Sequence, residues 1–387
     1  RTMRNGSNRY IIHVSWGFGG GVGTVIANLI EYQLAAGYRV GVIYPVRENK
    51  YDVSFLSRFS GEIDCYPVEM RHNRVIRQLR LSQIIGLPIK RLYRQVCLQN
   101  PGLDIVIHAH NTIAVGLLRD ISKLPLLVTL HGINASKGVT SQWVTQGIAK
   151  RLIRSGFKMN AVSHQTAEYY NSVLGTMEII PILNGTRVKN NTVSRSQRPP
   201  SEKFRIGYLA YLTDAKGWRH LFDAYASLDE QYKARINLTF AGIGPEGEVS
   251  ALQNSIRQHG LEGSVRYIGY VENAGDTLVP SLDLVVLPSA SEGLPLTLVE
   301  AIAHGVPILA TRVGGIPEVL IEGVTGYFIE RNPIDIAEKI RILHDDERLY
   351  ESLSNNARDL YTNKFTVERM AKEYSRVYDS ILMCFKQ

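Results

Sequence analysis

The stretch from Leu282 to Ala310 constrains this chain more than any other. Leu282 to Leu287 is a largely apolar run of the length of one buried strand. Pro288-Ser-Ala-Ser-Glu-Gly293 supplies turn residues, and a helical stretch runs from about Pro295 to His304, stopped by Gly305. Val306 to Ala310 then reads as the next strand. A strand, turn, helix and strand of this length predict a parallel βαβ crossover, and so an α/β, doubly wound fold. Ligands of such sheets gather at the carboxyl ends of the strands, which is where the turn Glu292–Gly293 falls.

Two carboxylates frame this unit. Glu292 sits in the turn, and Glu300 lies within the helix. The helix start between them offers unpaired amides at Leu296 and Thr297 and the positive end of a dipole, which suits a phosphate. Pro295 is tolerated there because a first-turn N–H has no partner to lose. Carboxylates on either side accept hydrogen bonds from sugar hydroxyls. The same residues also fit a capped helix with one acid favouring its dipole, and spacing alone does not separate the two.

Glu292-x7-Glu300, with Gly293 after the first acid and Gly314-Gly315-Ile316-Pro317-Glu318 downstream, resembles the signature of retaining glycosyltransferases of family four. The resemblance runs from the glycine-rich turn near residue 20 to about residue 330. It implies the GT-B fold, two Rossmann-like doubly wound domains facing a central cleft. It also implies that Glu300 holds the ribose of a nucleotide sugar and Glu292 contacts the transferred sugar. The amides between them, with Gly293, Leu296 and Thr297, would then hold the diphosphate.

With 387 residues the chain suits two domains, and 44% hydrophobic with 21% charged residues describes a globular protein. No run approaches a membrane span. Arg1 to Tyr10 is polar, so no signal peptide is expected. Three scattered cysteines, Cys65, Cys97 and Cys384, point to a reducing cytoplasm and to neither a disulfide framework nor a zinc site. The net charge of +8 is uneven: the first half is strongly basic and the second is net acidic. That asymmetry predicts an anionic partner for the first half.

Tyr10 to Val14 reads as a first strand and Trp16 to Gly23 as a glycine-rich turn. A helix follows from Thr24 to Ala36, and Arg39 to Tyr44 is a second strand. The turn does not match G-x-G-x-x-G. Gly20 and Gly21 resemble the family's first loop, whose backbone approaches the diphosphate. Arg71 to Arg94 is the most basic stretch, interleaved with Leu and Ile and divided by Pro88. Such an amphipathic segment suits an anionic membrane surface, as in relatives that act on lipid-linked acceptors, and equally a solvated helix face. No nucleic-acid recognition motif accompanies it, so nucleic acid is not an expected partner.

Asp104 to His110 and Leu126 to His131 read as buried strands ending in histidine. His131-Gly132 resembles the family's short motif in which a histidine touches the transferred sugar. His110, Trp16 and Phe18 are acceptor-side candidates, and the loop 134–140 is expected to shape acceptor choice. The first domain is placed at residues 1–186, with a polar linker at 187–203 that carries Pro199-Pro200. The second domain spans 204–365, and a last helix, about 366–387, is expected to pack back on the first.

In the second domain Lys216-Gly217 precedes a helix and offers a cation for a diphosphate. The family carries an arginine about five residues earlier; here Tyr211 holds that place, so the second cation is missing or comes from elsewhere. Gly242-Ile-Gly244-Pro-Glu-Gly247 matches G-x-G-x-x-G after a strand, which alone would suggest a nicotinamide cofactor. Pro245 sits where amides should face pyrophosphate. The family has a similar Gly-x-Gly-Pro turn, and Ile268 falls where its main chain reads the base.

No two aspartates stand two apart, so the metal-binding D-x-D of the other main glycosyltransferase fold is missing. The expectation is a metal-independent, retaining hexosyltransferase with no cofactor beyond its nucleotide diphosphate sugar, uridine being the favoured base. A saccharide or polyprenyl-linked acceptor in capsule or O-antigen synthesis is the expected partner. The expected place is the cytoplasm, peripheral to the inner membrane face. Three rivals remain: a GT-B sugar-nucleotide epimerase, a dehydrogenase, and a non-catalytic donor-binding subunit.

Overall fold

A computed structural model describes residues 8–15, 17–45, 56–68, 89–111, 124–133, 139–188 and 202–385. The chain divides into two compact units, residues 1–185 with 367–387, and residues 186–366. The linker reading at 187–203 falls mostly outside the described residues.

The first unit carries a parallel sheet of β1 (Arg9–Val14), β2 (Arg39–Pro45), β3 (Asp64–Val68), β4 (Asp104–Ala109), β5 (Leu126–Leu130), β6 (Lys158–Ala161) and β7 (Ile180–Pro181). Their spatial order is β3-β2-β1-β4-β5-β6-β7, every pair parallel. The central strands read as continuous apolar runs because both faces are covered by helices, with Ile11, Ile12, Val106 and Ile107 fully buried. The last helix, Val367–Phe385, belongs to this unit and packs on the helix Gly20–Ala35 and on β4 and β5.

The start of the first helix differs from expectation by a full turn. The helix read from Thr24 starts at Gly20, so Gly20 and Gly21 open its first turn. Glycine disfavours a helix interior by about 1 kcal/mol per residue relative to alanine. Burial of Val25, Ile26, Leu29 and Ile30 on one face outweighs that.

The second unit repeats the design with β8 (Phe204–Leu209), β9 (Ile236–Ala241), β10 (Val265–Tyr267), β11 (Leu284–Leu287), β12 (Ile308–Ala310) and β13 (Gly326–Phe328). The order β10-β9-β8-β11-β12-β13 again reverses direction beside the first strand. The predicted crossover is present as β11, the helix Leu296–Ala303 and β12, with Gly305 in the left-handed region closing the helix. Strand order and pairing in both units are Rossmann-like, and each reversal opens its crevice at the carboxyl ends of the strands.

Candidate functional site

The second unit gathers its charged groups at the carboxyl end of β8 and β11. A short 3-10 turn, Asp214–Lys216, follows β8, and the Lys216 Nζ donates to Glu292 Oε1 at 2.6 Å. Ser289 Oγ donates to the same oxygen, also at 2.6 Å. Ser289 is fully buried, and its carbonyl accepts from Thr311 Oγ1. The two site residues that the sequence placed 76 positions apart are thus one ion pair, 28% and 10% exposed along their side chains.

The helix Leu296–Ala303 begins beside this pair at Pro295, with no side-chain cap. Its first amides therefore keep their hydrogen-bonding capacity, and its dipole favours an anion there. Leu296 is buried, which anchors the helix start in the core. Thr297 ties its hydroxyl to the Leu209 carbonyl at 3.3 Å, fixing the helix start to the end of β8.

Backbone contacts hold the turn in place. Gly315 donates to the Gly293 carbonyl, and Gly314 has φ +56. A Cβ on Gly314 would lie 1.9 Å from the Glu292 carbonyl oxygen, so glycine is required by conformation and by space together.

Glu300 points its carboxyl at the short helix Ala274–Thr277, where a Cβ on Gly275 would meet it at 2.5 Å. Burial, and then the Asp276 charge, push this carboxyl up to about 8. The folded value lies above the unfolded one. The ligand-free protein is accordingly favoured by protonation, fully below pH 4.5, and loses that contribution as pH rises to about 8. Glu300→Gln should therefore raise the melting temperature of the ligand-free protein near pH 8 and leave it unchanged near pH 4.5. A thermal-melt series across that range checks this; equal gains at both ends would remove burial of the carboxyl as the cause.

The other predicted donor residues sit on neighbouring turns. Tyr211 is half exposed just past β8. Arg331 reaches the same loop and donates to the Asp214 carbonyl, bracing the turn that carries Lys216. Gly242 and Gly244 answer to packing: a Cβ on them would lie 2.0 Å from the Ala210 oxygen and 2.5 Å from the Leu212 oxygen. Their match to a nicotinamide fingerprint follows from two loops crossing closely. Ile268 is exposed, but its amide already donates to the Phe240 carbonyl, so of its main-chain groups the amide is taken.

In the first unit, the carboxyl ends of β1, β4 and β5 bring together His13, His108, His110 and His131. His13 Nδ1 and His110 Nε2 are 2.9 Å apart, and His110 Nδ1 and His131 Nε2 are 3.1 Å apart. Burial lowers all four rings, to about 4 for His13 and His131 and well below the usual value for His108 and His110. His13, His108 and His110 approach closely enough to share a metal ion. Both nitrogens of each ring are instead engaged in hydrogen bonds.

Two acceptor-side expectations are corrected here. His110 is fully buried with both nitrogens taken by other histidines, so it presents nothing to a ligand. Phe18 is 4% exposed and packs with Ile26, Val40 and Leu56, making it a core residue. His131 is partly exposed just past the carboxyl end of β5. Gly20 and Gly21 are exposed in the first turn of their helix. Trp16 and the loop at 134–138 lie outside the described residues, as do 71–88 of the basic stretch. Sequence reasoning missed Ser289, Gln33, His13 and His108. A lone polar residue inside an apolar strand carries no signal of its partner.

Fold and site together define a two-domain Rossmann-like protein whose second unit carries the Lys216–Glu292 pair and an uncapped helix start at the carboxyl ends of its strands. Residues 19–188 match the family described as Glycosyltransferase Family 4, and residues 189–360 match Glycosyl transferases group 1. The chain belongs to the GT-B glycosyltransferases. Among its relatives, the N-acetyl-alpha-D-glucosaminyl L-malate synthase of Bacillus anthracis is 28% identical over 73% of this chain and 76% of its own length. WcaL of Salmonella typhimurium, named as a colanic acid biosynthesis glycosyltransferase, is 26% identical over 68% and 67%. Among solved structures, Anabaena Alr3699/HepE in complex with UDP superposes with a TM-score of 0.76 at 21% identity, covering 96% of this chain and all of that one. Among the described residues no helix is long and apolar enough to cross a membrane.

Proposed function

We propose that this protein is a retaining glycosyltransferase that moves a sugar from a nucleotide diphosphate sugar, a UDP-sugar in the first instance, to a saccharide or lipid-linked acceptor. The observation that carries the reading is the Lys216–Glu292 pair beside an uncapped helix start, with Glu300 further along the same helix. The bond between the anomeric carbon and the diphosphate breaks, and the acceptor oxygen bonds to that carbon on the same face. The leaving diphosphate takes the acceptor proton.

Lys216 and the amides of Leu296 and Thr297 stabilise the charge that develops on the diphosphate, without needing a metal ion for that task. Glu292 accepts from hydroxyls of the transferred sugar, with Ser289 holding its other contact. Glu300 takes the ribose, and the resemblance of His131-Gly132 to the family's histidine motif assigns His131 to the transferred sugar. Relatives support the chemistry: the HepE protein was crystallised with UDP and with UDP-glucose.

WcaL supports a place in surface polysaccharide synthesis. A peripheral site at the inner face of the membrane fits the exposed Arg91 and Arg94 of the helix Ile89–Gln99, with Leu98 83% exposed beside them.

A donor screen without acceptor tests the reading. Thermal shift and slow hydrolysis would be followed across uridine, guanosine and thymidine diphosphate sugars, with NAD(P) as control. One sugar nucleotide should stabilise the protein, and Glu300→Ala should abolish that shift. Stabilisation by NAD(P) alone, or by none of them, would overturn the proposal. Donor converted to a different sugar nucleotide without acceptor would favour an epimerase.

A further inference from the structure

Gln33 lies fully inside the first unit, on the helix Gly20–Ala35, and stands between two buried chains of hydrogen bonds. Its Oε1 is 2.8 Å from His13 Nε2. Its amide also bonds to the Tyr378 hydroxyl. Tyr378 in turn is 2.8 Å from His108 Nδ1, and His108 Nε2 is 2.7 Å from Thr129 Oγ1. Thr129 donates to Asn160 Oδ1, and Asn160 Nδ2 donates to Tyr374.

Each histidine here is neutral and carries one proton, because burial removes the charged form. A neutral ring donates from one nitrogen and accepts at the other. An oxygen at Gln33 Oε1 only accepts, so His13 carries its proton on Nε2 and accepts at Nδ1. His110 must then donate from Nε2 and accept at Nδ1. His131 follows, with its proton on Nε2 and a lone pair on Nδ1. On the second chain the Gln33 NH₂ donates to Tyr378, which donates to His108 Nδ1, and His108 donates onward to Thr129. Every group is satisfied by one orientation of one amide.

We propose that Gln33 is a positioning residue that sets the tautomer of His131 through His13 and His110, so that Nδ1 of His131 is presented as a hydrogen-bond acceptor. Among the described residues Nδ1 has no partner, and it ends the chain on a ring that is partly exposed just past the carboxyl end of β5. The group it is shaped to receive is a hydroxyl donor, such as one on a sugar. The role in transfer rests on the function proposed above, whereas the tautomer does not. Turning the Gln33 amide end over end would reverse each proton in sequence and put N–H at His131 Nδ1, so this residue decides what the site offers.

Long-range nitrogen–proton NMR spectra of histidine-labelled protein read the tautomer directly, with the His131 signals assigned by their loss in His131→Gln. The wild type should show His131 with its proton on Nε2. Gln33→Leu removes the acceptor and should yield a mixture of tautomers, with kcat about tenfold lower, the worth of one hydrogen bond, and KM for donor little changed. A proton on Nδ1 in the wild type, or an unchanged tautomer in Gln33→Leu, would overturn the proposal. The wild-type spectrum decides even if a variant fails to fold. Failure of the donor screen would sink the transfer reaction and leave the tautomer result standing.

Discussion

Lys216→Ala should lower the rate of sugar transfer by about two to three orders of magnitude, the usual cost of removing one group aimed at developing charge. Its effect on stability should be about 1 kcal/mol or less, because the pair with Glu292 keeps solvent contact. The split between the two readouts is informative. In the ligand-free protein Lys216 neutralises Glu292, so its removal leaves that carboxylate with Ser289. A bound diphosphate competes for the same ammonium, and the loss should therefore fall on kcat and on donor affinity together. Lys216→Arg keeps the charge but brings a planar fork to a site that uses a point charge, and should recover only part of the rate. Steady-state transfer assays beside thermal melts check the set. Wild-type transfer by folded Lys216→Ala would remove this residue from the reaction.

Gly314→Ala should act through the backbone. Leaving glycine in the left-handed region costs about 1–2 kcal/mol, and relieving the overlap with the Glu292 carbonyl costs roughly 1–3 kcal/mol more. The expected fall in the unfolding midpoint is about 2–4 °C for each kcal/mol. The relief has one direct route, a shift of the turn at Glu292–Gly293, since Gly315 also bonds to the Gly293 carbonyl. Donor affinity should thus fall along with stability. Gly247→Ala is the control: nothing stands within 4 Å of a Cβ there, although this glycine closes the fingerprint-like motif. Calorimetric melts and donor titrations would show the difference. Equal, small effects at both positions would mean that the turn yields without cost.

How far the sequence reached depended on whether the signal was local. The crossover from β11 to β12 was legible because a strand, a turn and a helix each have their own period and their own stop residues. Glu292 and Glu300 were legible because they lie on that one unit. The start of the helix at Gly20 was not, because a glycine run reads as turn until the buried face behind it is counted. Phe18, in a glycine-rich turn, and His110, past a strand end, read as ligand-facing because position along the chain does not reveal which way a side chain is packed.

Periodicity and turn chemistry along the chain by themselves determined the α/β class, the placement of the main strands and the carboxylates of the second unit. The resemblance of their motif implied the GT-B family. Three-dimensional closure alone decided that Lys216 and Glu292 are partners and that Ser289 shares the same oxygen. It also decided that Gln33 governs three histidines drawn from three different strands' ends. Hydrogen bonds between residues far apart in sequence carry no period and no spacing, so only the folded chain, which must satisfy every buried polar group, reveals them.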